Sequence, residues 1–311
     1  MLTGSPISPR HTLWAGRLRA SRARFQQFAE RKSAEACAAT LAPLVTEFDT
    51  AAHTLTQVGN GWTRRLFDGP FYLSESTRPD RPSCSMVFVQ SVEGNTGASS
   101  PLLLGGGRTD KHVIYEGLSL VAADAVLVGA GTVRTGDTVF SVWHPELVRL
   151  RLAIGQSRHP TQIVATRRGV DLDGGMLYNL PDLPVIMLTV GAGALAMREG
   201  LASRPWIRLL VMSDSTELAA AFDTFHTWGI QRISSVGGRR LARQLVEAAL
   251  VQDLYLTISA SSGGEPNTPL MLQPMAFTTL VRKLGTGADV GVIFEHQHLT
   301  PVVSVRSSAE T

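Results

Sequence analysis

The chain has 311 residues, of which 44% are hydrophobic and 18% charged, and this composition is typical of a globular protein with a sizeable core. No apolar run reaches the roughly 18 residues that a membrane-spanning helix needs. The net charge of +3 is too small to indicate nucleic-acid binding. We therefore expect neither a membrane nor a nucleic-acid partner.

The cysteines and the first residues bear on the cellular compartment. Cys37 and Cys84 lie far apart and predict neither a disulfide framework nor a cysteine-based zinc site. No signal-peptide apolar region follows the first methionine, so a reducing compartment is favoured and we expect the cytoplasm. Residues 1–36 are rich in arginine and poor in acidic residues, which favours a basic surface helix over a transit peptide.

Residues 1–80 are predicted to form an N-terminal helical extension. Residues 1–10 are small and polar, and we expect them to be disordered. Leu13–Leu41 has the composition and apolar spacing of a helix, and Leu41–Leu55 is predicted as a second helix. Clusters of Gly, Asn, Asp and Pro between residues 59 and 82 then indicate turns and a linker.

From residue 81 onward, short apolar strands alternate with helices. The predicted strands are Cys84–Gln90, Asp124–Gly129, Gln162–Ala165, Val185–Thr189, Arg208–Met212, Arg232–Val236, Asp253–Ser259 and Val290–His296, the last of which closes the sheet. The predicted helices are Asp110–Ala122, Leu218–Thr227 and Arg239–Ala249. This alternation predicts an α/β domain over residues 81–311, with a mostly parallel central sheet flanked by helices.

One predicted strand ends in a glycine turn, Gly129-Ala130-Gly131-Thr132-Val133. Glycines let the backbone turn tightly and approach a phosphate, whose charge free N–H groups and the Thr132 hydroxyl can bind. A Rossmann fingerprint would have a third glycine where Arg134 stands, so this is not the usual dinucleotide fold. A plain tight turn is the alternative.

A second strand runs into a glycine pair, Gly237-Gly238, followed by a predicted helix from Arg239. In a parallel sheet both glycine turns lie at the carboxyl ends of their strands, which is the edge where α/β folds bind ligands. Two such turns can hold one extended dinucleotide. The second turn by itself is equally typical of a plain connection, and only the pair favours a site.

Two polar segments follow other strands. Residues 91–96, Ser-Val-Glu-Gly-Asn-Thr, are dense in hydrogen-bonding groups, and a surface turn is the alternative. Thr166-Arg167-Arg168 is basic, and arginine there could bind a 2′-phosphate and select NADPH over NADH. A solvated basic turn is an equally good interpretation of that segment.

The order of these segments resembles the C-terminal reductase domain of bacterial riboflavin-biosynthesis deaminase-reductases, a family with the dihydrofolate-reductase fold. Residues 123–133 closely match that family's cofactor turn, and residues 236–258 resemble its last βαβ unit. Residues 81–94 resemble its opening strand and turn, and residues 105–111 resemble the segment that leads into its first helix. The likeness runs from about Arg81 to the C-terminus.

The resemblance implies a homodimeric, NADPH-dependent reductase, which in the family reduces a ribosylaminopyrimidine to a ribitylamine. The cofactor-binding residues would be Gly129, Gly131, Thr132, Val133, Thr166, Arg167, Gly237, Gly238 and Arg239. Thr166 and Arg167 would lie near the adenosine 2′-phosphate. The candidates that face the substrate are Ser91, Glu93, Gly94, Thr96 and Asp110, although a helix-capping role is also open for Asp110.

The substrate side departs from the family pattern. Val87 stands where the family has lysine, Val236 where it has glutamate, and Glu93 where it has aspartate. We therefore expect hydride transfer to a pyrimidine, pteridine or related heterocyclic or imine substrate, by a protein that resembles 5-amino-6-(5-phosphoribosylamino)uracil reductase. The alternative is a nucleotide- or ligand-binding protein without turnover. Glu93 is the predicted catalytic proton donor, with a hydrogen-bond anchor as its other interpretation.

Other chemistries find no support in the sequence. The chain has no Gly-x-Ser-x-Gly elbow, no phosphate-binding P-loop and no Tyr-x-x-x-Lys pair. Residues 1–80 carry neither the His-x-Glu nor the Pro-Cys-x-x-Cys motif of zinc deaminases. His296 and His298 would share one face of a strand, but without a third ligand we expect an ordinary surface and no metal.

Overall fold

The structure is a computed structural model that describes residues 9–99, 101–133, 138–214, 216–272 and 275–299. Residues 1–8, and with them most of the segment expected to be disordered, lie outside the described residues, as does Arg134. None of the helices in these ranges has the length and apolar character needed to cross a bilayer.

The described strands are β1 (Leu44–Asp49), β2 (Thr56–Val58), β3 (Phe71–Leu73), β4 (Ser83–Gln90), β5 (Ala125–Gly129), β6 (Thr161–Ala165), β7 (Val185–Val190), β8 (Ile207–Met212), β9 (Arg232–Ser235), β10 (Asp253–Ile258), β11 (Phe277–Gly285) and β12 (Ile293–Leu299). The helices are α1 (Pro9–Cys37), α2 (Gly61–Leu66), α3 (Gly107–Thr109), α4 (Ala130–Val133), α5 (Pro145–Ala153), α6 (Gly191–Ala202), α7 (Leu218–Thr227) and α8 (Arg239–Glu247). α3 continues directly into a π-helix, Asp110–Ser119.

Ten strands form one sheet in the order β1-β11-β12-β10-β4-β9-β5-β6-β7-β8. The seven strands from β10 to β8 are parallel to one another. β12, β11 and β1 extend the sheet antiparallel on the β10 side. The predicted α/β class and mostly parallel sheet are confirmed, because strands linked by helices return to the same edge.

The sheet is covered on both faces, as its apolar strands require. Along β5, Val126 and Val128 pack in one apolar cluster, whereas Ala125 and Leu127 pack in the other. Since alternate residues of a strand point to opposite faces, the two clusters lie on opposite sides of the sheet. The π-helix and α1 contribute to the first cluster, while α7 and α8 contribute to the second.

The predicted second helix at Leu41–Leu55 is wrong. Its central residues form β1, which pairs antiparallel with β11 at the edge of the main sheet. The segment before residue 81 is therefore not wholly helical. The free backbone groups of β11 supply hydrogen bonds that local helix propensity cannot match, and the Val-Thr content of Leu44–Asp49 suits an edge strand.

The carboxyl-terminal strands differ from their predicted positions. The strand predicted at Val290–His296 is β12, Ile293–Leu299, and it lies inside the sheet rather than closing it. β11, α5 and α6 were not predicted. The division between residues 1–80 and 81–311 stays a prediction, although a buried contact joins the two segments: the Ser74 hydroxyl donates a hydrogen bond to Asp253, at 2.8 Å.

Candidate functional site

The two glycine turns meet at one edge of the sheet. β5 and β9 are parallel neighbours, so their carboxyl ends lie side by side. The N–H of Val236 donates to the carbonyl of Leu127, at 3.0 Å, which fixes the register where the turns begin. A Cβ added to Gly237 would lie 3.3 Å from the Gly129 nitrogen and 2.9 Å from Leu241 Cδ2. Glycine at position 237 therefore permits the close approach of the turns.

The other glycines of these turns face open space. Among the described residues, a Cβ added to Gly129, Gly131 or Gly238 would meet no heavy atom within 4 Å, apart from the glycine's own chain neighbours and helix backbone. Beside them, Gly238 begins α8 without a side-chain cap on the helix N–H groups. Glycines that face space and uncapped N–H groups suit a phosphate, which needs close backbone donors. Thr132 and Val133 belong to α4, directly after Gly131.

The basic turn lies at the same edge. Gly129 of β5 is in register with Ala165 of β6, so Thr166 comes one residue after the level of Gly129, beside the first glycine turn. The Thr166 hydroxyl donates to the carbonyl of Gly169, at 3.0 Å, and this bond shapes the turn. Arg167 and Arg168 between them are exposed. The guanidinium groups are thus accessible, while the Thr166 hydroxyl is committed to the turn.

A segment that the sequence interpretation missed holds this turn in place. α6 begins with Gly191-Ala192-Gly193 after β7, the same tripeptide that follows β5. A Cβ on Gly193 would lie 3.0 Å from the Arg167 carbonyl oxygen and 3.1 Å from the Gly169 nitrogen. Only glycine lets α6 pack this closely against the basic turn. The repeated Gly-Ala-Gly after an apolar strand was the signal that could have identified it.

The polar segment after β4 is built into a second loop. Residues 91–97 and 261–268, here called the paired loops, exchange backbone hydrogen bonds. The Thr96 hydroxyl donates to the carbonyl of Thr268, at 2.9 Å, and Ser91 is fully buried. Gly94 has a φ of 83°, in the left-handed region that favours glycine. Ser91, Gly94 and Thr96 therefore shape the loop, and direct substrate contact by them stays a prediction.

Glu93 lies in the same loop with its carboxylate held by donors. Hydroxyl groups of Ser262 and Ser91 and the N–H of Gly263 lower the pKa of Glu93 to about 2. The Gly263 nitrogen lies 3.3 Å from Oε2. A carboxyl group with that pKa is ionised at neutral pH and has no proton to give. The contacts favour the anchor interpretation of Glu93 over that of proton donor.

Asp110 has the opposite environment. It starts the π-helix, is 5% exposed, and its Oδ1 accepts a hydrogen bond from the Thr257 hydroxyl of β10. Burial raises the pKa of Asp110, the Thr257 hydrogen bond lowers it and the nearby Asp289 carboxylate raises it, and the net result is a pKa of about 7. Thr257 is in register with Val89 of β4, which places Asp110 near the carboxyl ends of these strands.

Val87 and Val236, the positions where we expect a departure from the family pattern, lie on the same face of the sheet as Asp110. Val87 is in register with Tyr255 of β10, two positions before the Val89–Thr257 pair. Val87 and Val236 both pack against the apolar cluster that includes the π-helix. Val87 and Val236 therefore present apolar side chains on this face of the sheet.

His296 and His298 do not form an ordinary surface, contrary to the expectation from sequence. His296 is buried, and its Nε2 lies 2.9 Å from Oδ1 of Asp253, with His298 Nδ1 at 3.3 Å from the same oxygen. Both imidazoles contact the Asp253 carboxylate at the start of β10 because His296 and His298 lie on the same face of β12. Within the described ranges, no group of three or more His, Cys, Asp or Glu side chains is arranged to hold a metal ion.

The sheet order and the helices on both faces define an α/β protein with a mostly parallel central sheet. Residues 95–290 match the model of the RibD C-terminal domain family, and the chain belongs to that family. No curated protein matches this chain.

Solved structures share the fold. One is a pyrimidine reductase-like protein from Corynebacterium diphtheriae, with 22% identity, a TM-score of 0.55, and coverage of 70% of this chain and 92% of that one. Another is RibD of Acinetobacter baumannii, with 17% identity, a TM-score of 0.53, and coverage of 71% of this chain and 59% of that one. A third is the riboflavin biosynthesis reductase Rib7 of Saccharomyces, with 15% identity, a TM-score of 0.52, and coverage of 73% and 93%. The chain thus spans about 59% of the RibD chain.

Proposed function

We propose that this protein is an NADPH-dependent reductase that transfers a hydride to a pyrimidine, pteridine or related heterocyclic or imine substrate. The observation that carries the proposal is the contact between the two glycine turns, with Gly129, Gly131 and Gly238 facing open space. This edge suits a cofactor with several phosphates, and Arg167 and Arg239 supply positive charge beside it. Membership of the RibD C-terminal domain family supports a reductase rather than another nucleotide-binding enzyme.

The chain's own contribution would be to position the reactants and to hold a proton. NADPH supplies the hydride when it is bound. Asp110 is the residue that we propose as the proton source, because it is buried near the carboxyl ends of β4 and β10 and keeps its proton up to about pH 7. Glu93 would instead anchor the paired loops.

The apolar residues on the same face of the sheet as Asp110 bear on the substrate. Val87 and Val236 offer no charge to a substrate phosphate or to a sugar hydroxyl. We propose a substrate whose reacting region is a neutral planar ring or imine, which Asp110 can protonate as the hydride arrives. A chain that binds nucleotides without turnover is the alternative.

The decisive experiment measures NADPH binding and NADPH oxidation with the same preparation. Binding is followed by quenching of tryptophan fluorescence, and oxidation by the loss of NADPH absorbance with a panel of pyrimidine, dihydropteridine and dihydrofolate compounds. We expect binding, and turnover with at least one compound of the panel. Binding with no turnover across the panel would support the non-catalytic alternative, and absence of binding would contradict both.

We also propose that the protein acts in the cytoplasm and as a homodimer, as the family resemblance implies. The homodimer is tested by light scattering during size-exclusion chromatography, where we expect twice the mass of one chain. A monomer at micromolar concentration would contradict it.

A further inference from the structure

Arg239, which the proposed function assigns to the cofactor, is already paired with a carboxylate. Its Nη2 lies 3.3 Å from Oε2 of Glu265. The Arg239 side chain is 29% exposed and that of Glu265 is 67% exposed, so the pair lies at the surface beside the Gly237-Gly238 turn. An ion pair this exposed contributes little stability, and a better anion can replace the carboxylate at small cost.

Glu265 does not belong to a free loop. Its N–H donates to the carbonyl of Gly97, at 2.6 Å, and the N–H of Thr96 donates to the carbonyl of Thr268, at 2.8 Å. A Cβ added to Gly97 would lie 2.7 Å from Oε2 of Glu265, so the carboxylate packs directly against residues 91–97 of the paired loops. Glu265 therefore links the paired loops to the first residue of α8.

Arg243 of α8 attaches the residues that directly follow the paired loops to the same helix. Arg243, one turn after Arg239, donates from Nε to the carbonyl of Leu270, at 2.9 Å, and from Nη2 to that of Pro269, at 2.7 Å. These bonds go to backbone carbonyl groups and not to a carboxylate. An incoming phosphate would compete with Glu265 for Arg239, but it would leave the Arg243 attachment in place.

We propose that Glu265 is an internal competitor for the cofactor: its carboxylate occupies Arg239 until a cofactor phosphate replaces it, and this exchange links cofactor binding to the paired loops. The inference rests on the proposed function, since it needs a phosphate at Arg239. The link is reciprocal. The factor by which a bound cofactor weakens the contact between Glu265 and Arg239 equals the factor by which that contact weakens cofactor binding.

The test is a double-mutant cycle on NADPH binding. Glu265→Gln keeps the size of the side chain and removes the charge, and we expect NADPH to bind about two- to fivefold more tightly, the range that an exposed ion pair can supply. Arg239→Ala should weaken binding, and Glu265→Gln should have no effect in the Arg239→Ala background. The matched control is Asp80→Asn, which breaks the exposed Arg78–Asp80 pair elsewhere and should leave NADPH binding unchanged.

The cycle separates competition for Arg239 from a general effect of charge. If Glu265→Gln tightened binding equally with and without Arg239, the carboxylate would act through its field alone, and the proposal would be wrong. Unchanged or weaker binding by Glu265→Gln in the normal background would also overturn it. If the unaltered protein bound no NADPH, the proposed function would fail together with this inference, whereas normal binding with no effect of Glu265→Gln rejects the inference only.

Hydrogen exchange tests whether NADPH loosens the paired loops, and it requires no substitution in the cofactor-binding residues. In the unaltered protein, NADPH should speed exchange of the amides of Thr96, Glu265 and Thr268, because their segment loses one attachment. In Glu265→Gln these amides should exchange faster already, and NADPH should add little. Exchange that slows on NADPH addition in both proteins would contradict the link.

Discussion

Burial separates Glu93 and Asp110, the two carboxyl groups predicted to face the substrate. Glu93 is exposed and surrounded by donors, so its pKa falls to about 2. Asp110 is buried against β10, so its pKa rises to about 7. At neutral pH the carboxyl group is therefore fully ionised at Glu93, whereas it is protonated about half of the time at Asp110. This difference supports the proposal that Asp110, rather than Glu93, is the proton source.

Asp110→Asn should lower kcat by about 10²- to 10⁴-fold, the usual contribution of a positioned general acid. In the unaltered enzyme, kcat should fall as the pH rises through about 7, because Asp110 loses its proton there. The variant should lack this decline. Glu93→Gln is the matched control, and it should keep the decline whatever its effect on the loops. A decline that persists in Asp110→Asn would contradict the assignment.

The same group predicts a pH dependence of stability. The pKa of Asp110 is raised from its ordinary 3.8 to about 7, so the folded protein binds the proton more tightly than the unfolded chain. The free energy of unfolding should therefore fall as the pH rises from about 4 to 7, and the decrease ends above the folded pKa. Urea unfolding of Asp110→Asn at pH 4 and pH 7 should show a smaller difference than the unaltered protein.

Arg167 carries the prediction for cofactor choice. It is exposed on the turn that packs closely against α6 at Gly193. Arg167→Ala should weaken NADPH binding about tenfold or more, because a charge-assisted bond to a 2′-phosphate contributes roughly 1.5–3 kcal/mol. NADH, which lacks that phosphate, should be affected much less. Equal loss for both nucleotides, measured by titration calorimetry, would remove the assignment.

At the scale of elements, the site depends on how two strand-to-helix connections pack. β5 leads into α4 and β9 leads into α8, and the parallel pairing of the strands brings both connections to one edge. Gly237 and Gly238 are neighbours with different surroundings. A Cβ added to Gly237 would meet Gly129 and Leu241, whereas a Cβ added to Gly238 would meet no described neighbour within 4 Å. Substitution of Gly237 therefore tests the packing of the two turns, and substitution of Gly238 tests the space proposed for the cofactor.

Gly237→Ala should reduce both stability and NADPH affinity, since the new Cβ would come within 2.9 Å of Leu241 Cδ2 and 3.3 Å of the Gly129 nitrogen. We expect a loss of about 1–3 kcal/mol in the free energy of unfolding, as for overpacking in a core. Gly238→Ala should leave the free energy of unfolding within about 0.5 kcal/mol and still weaken NADPH. Normal NADPH affinity in Gly238→Ala would mean that no ligand occupies that space.

At the scale of the whole molecule, the segment before residue 81 is joined to the sheet by several contacts. β1 pairs with β11, and Ser74 bonds to Asp253. The buried Lys283 of β11 donates to the Thr46 hydroxyl, at 2.8 Å, and to the carbonyl of Asp68, at 3.1 Å. Together these contacts favour one cooperative unit, in which β1 covers the edge of β11.

A chain that begins at Arg81 should be much less stable than the full chain. It loses β1 and leaves the backbone groups of β11 free to pair with other molecules, so we expect a lower Tm and aggregation. A chain that begins at Leu41 keeps β1 and should lie closer to the full protein. The measurement is thermal unfolding by circular dichroism with light scattering. Cooperative unfolding of the shorter chain at the full-length Tm would instead support residues 81–311 as an independent domain.

The sequence by itself determined the local units of this protein. β5 with Gly129–Val133 and β9 with Gly237-Gly238 were predictable, because a short apolar run and a glycine turn are neighbours in the chain. The same local signals predicted the helices α7 and α8 and the mostly parallel sheet. Each of these features depends on residues a few positions apart.

Tertiary structure alone decided the remainder. Leu44–Asp49 is a strand because β11, near the other end of the chain, presents an open edge to it, as the pairing of Asp49 with Val281 shows. Asp110 holds its proton up to about pH 7 because the fold buries it, which outweighs the opposing hydrogen bond from Thr257, and Glu93 loses its proton because Ser262 and Gly263 face it. Pairing partners and desolvation are set by distant residues, so neither is encoded in the local pattern that predicts helices, strands and turns.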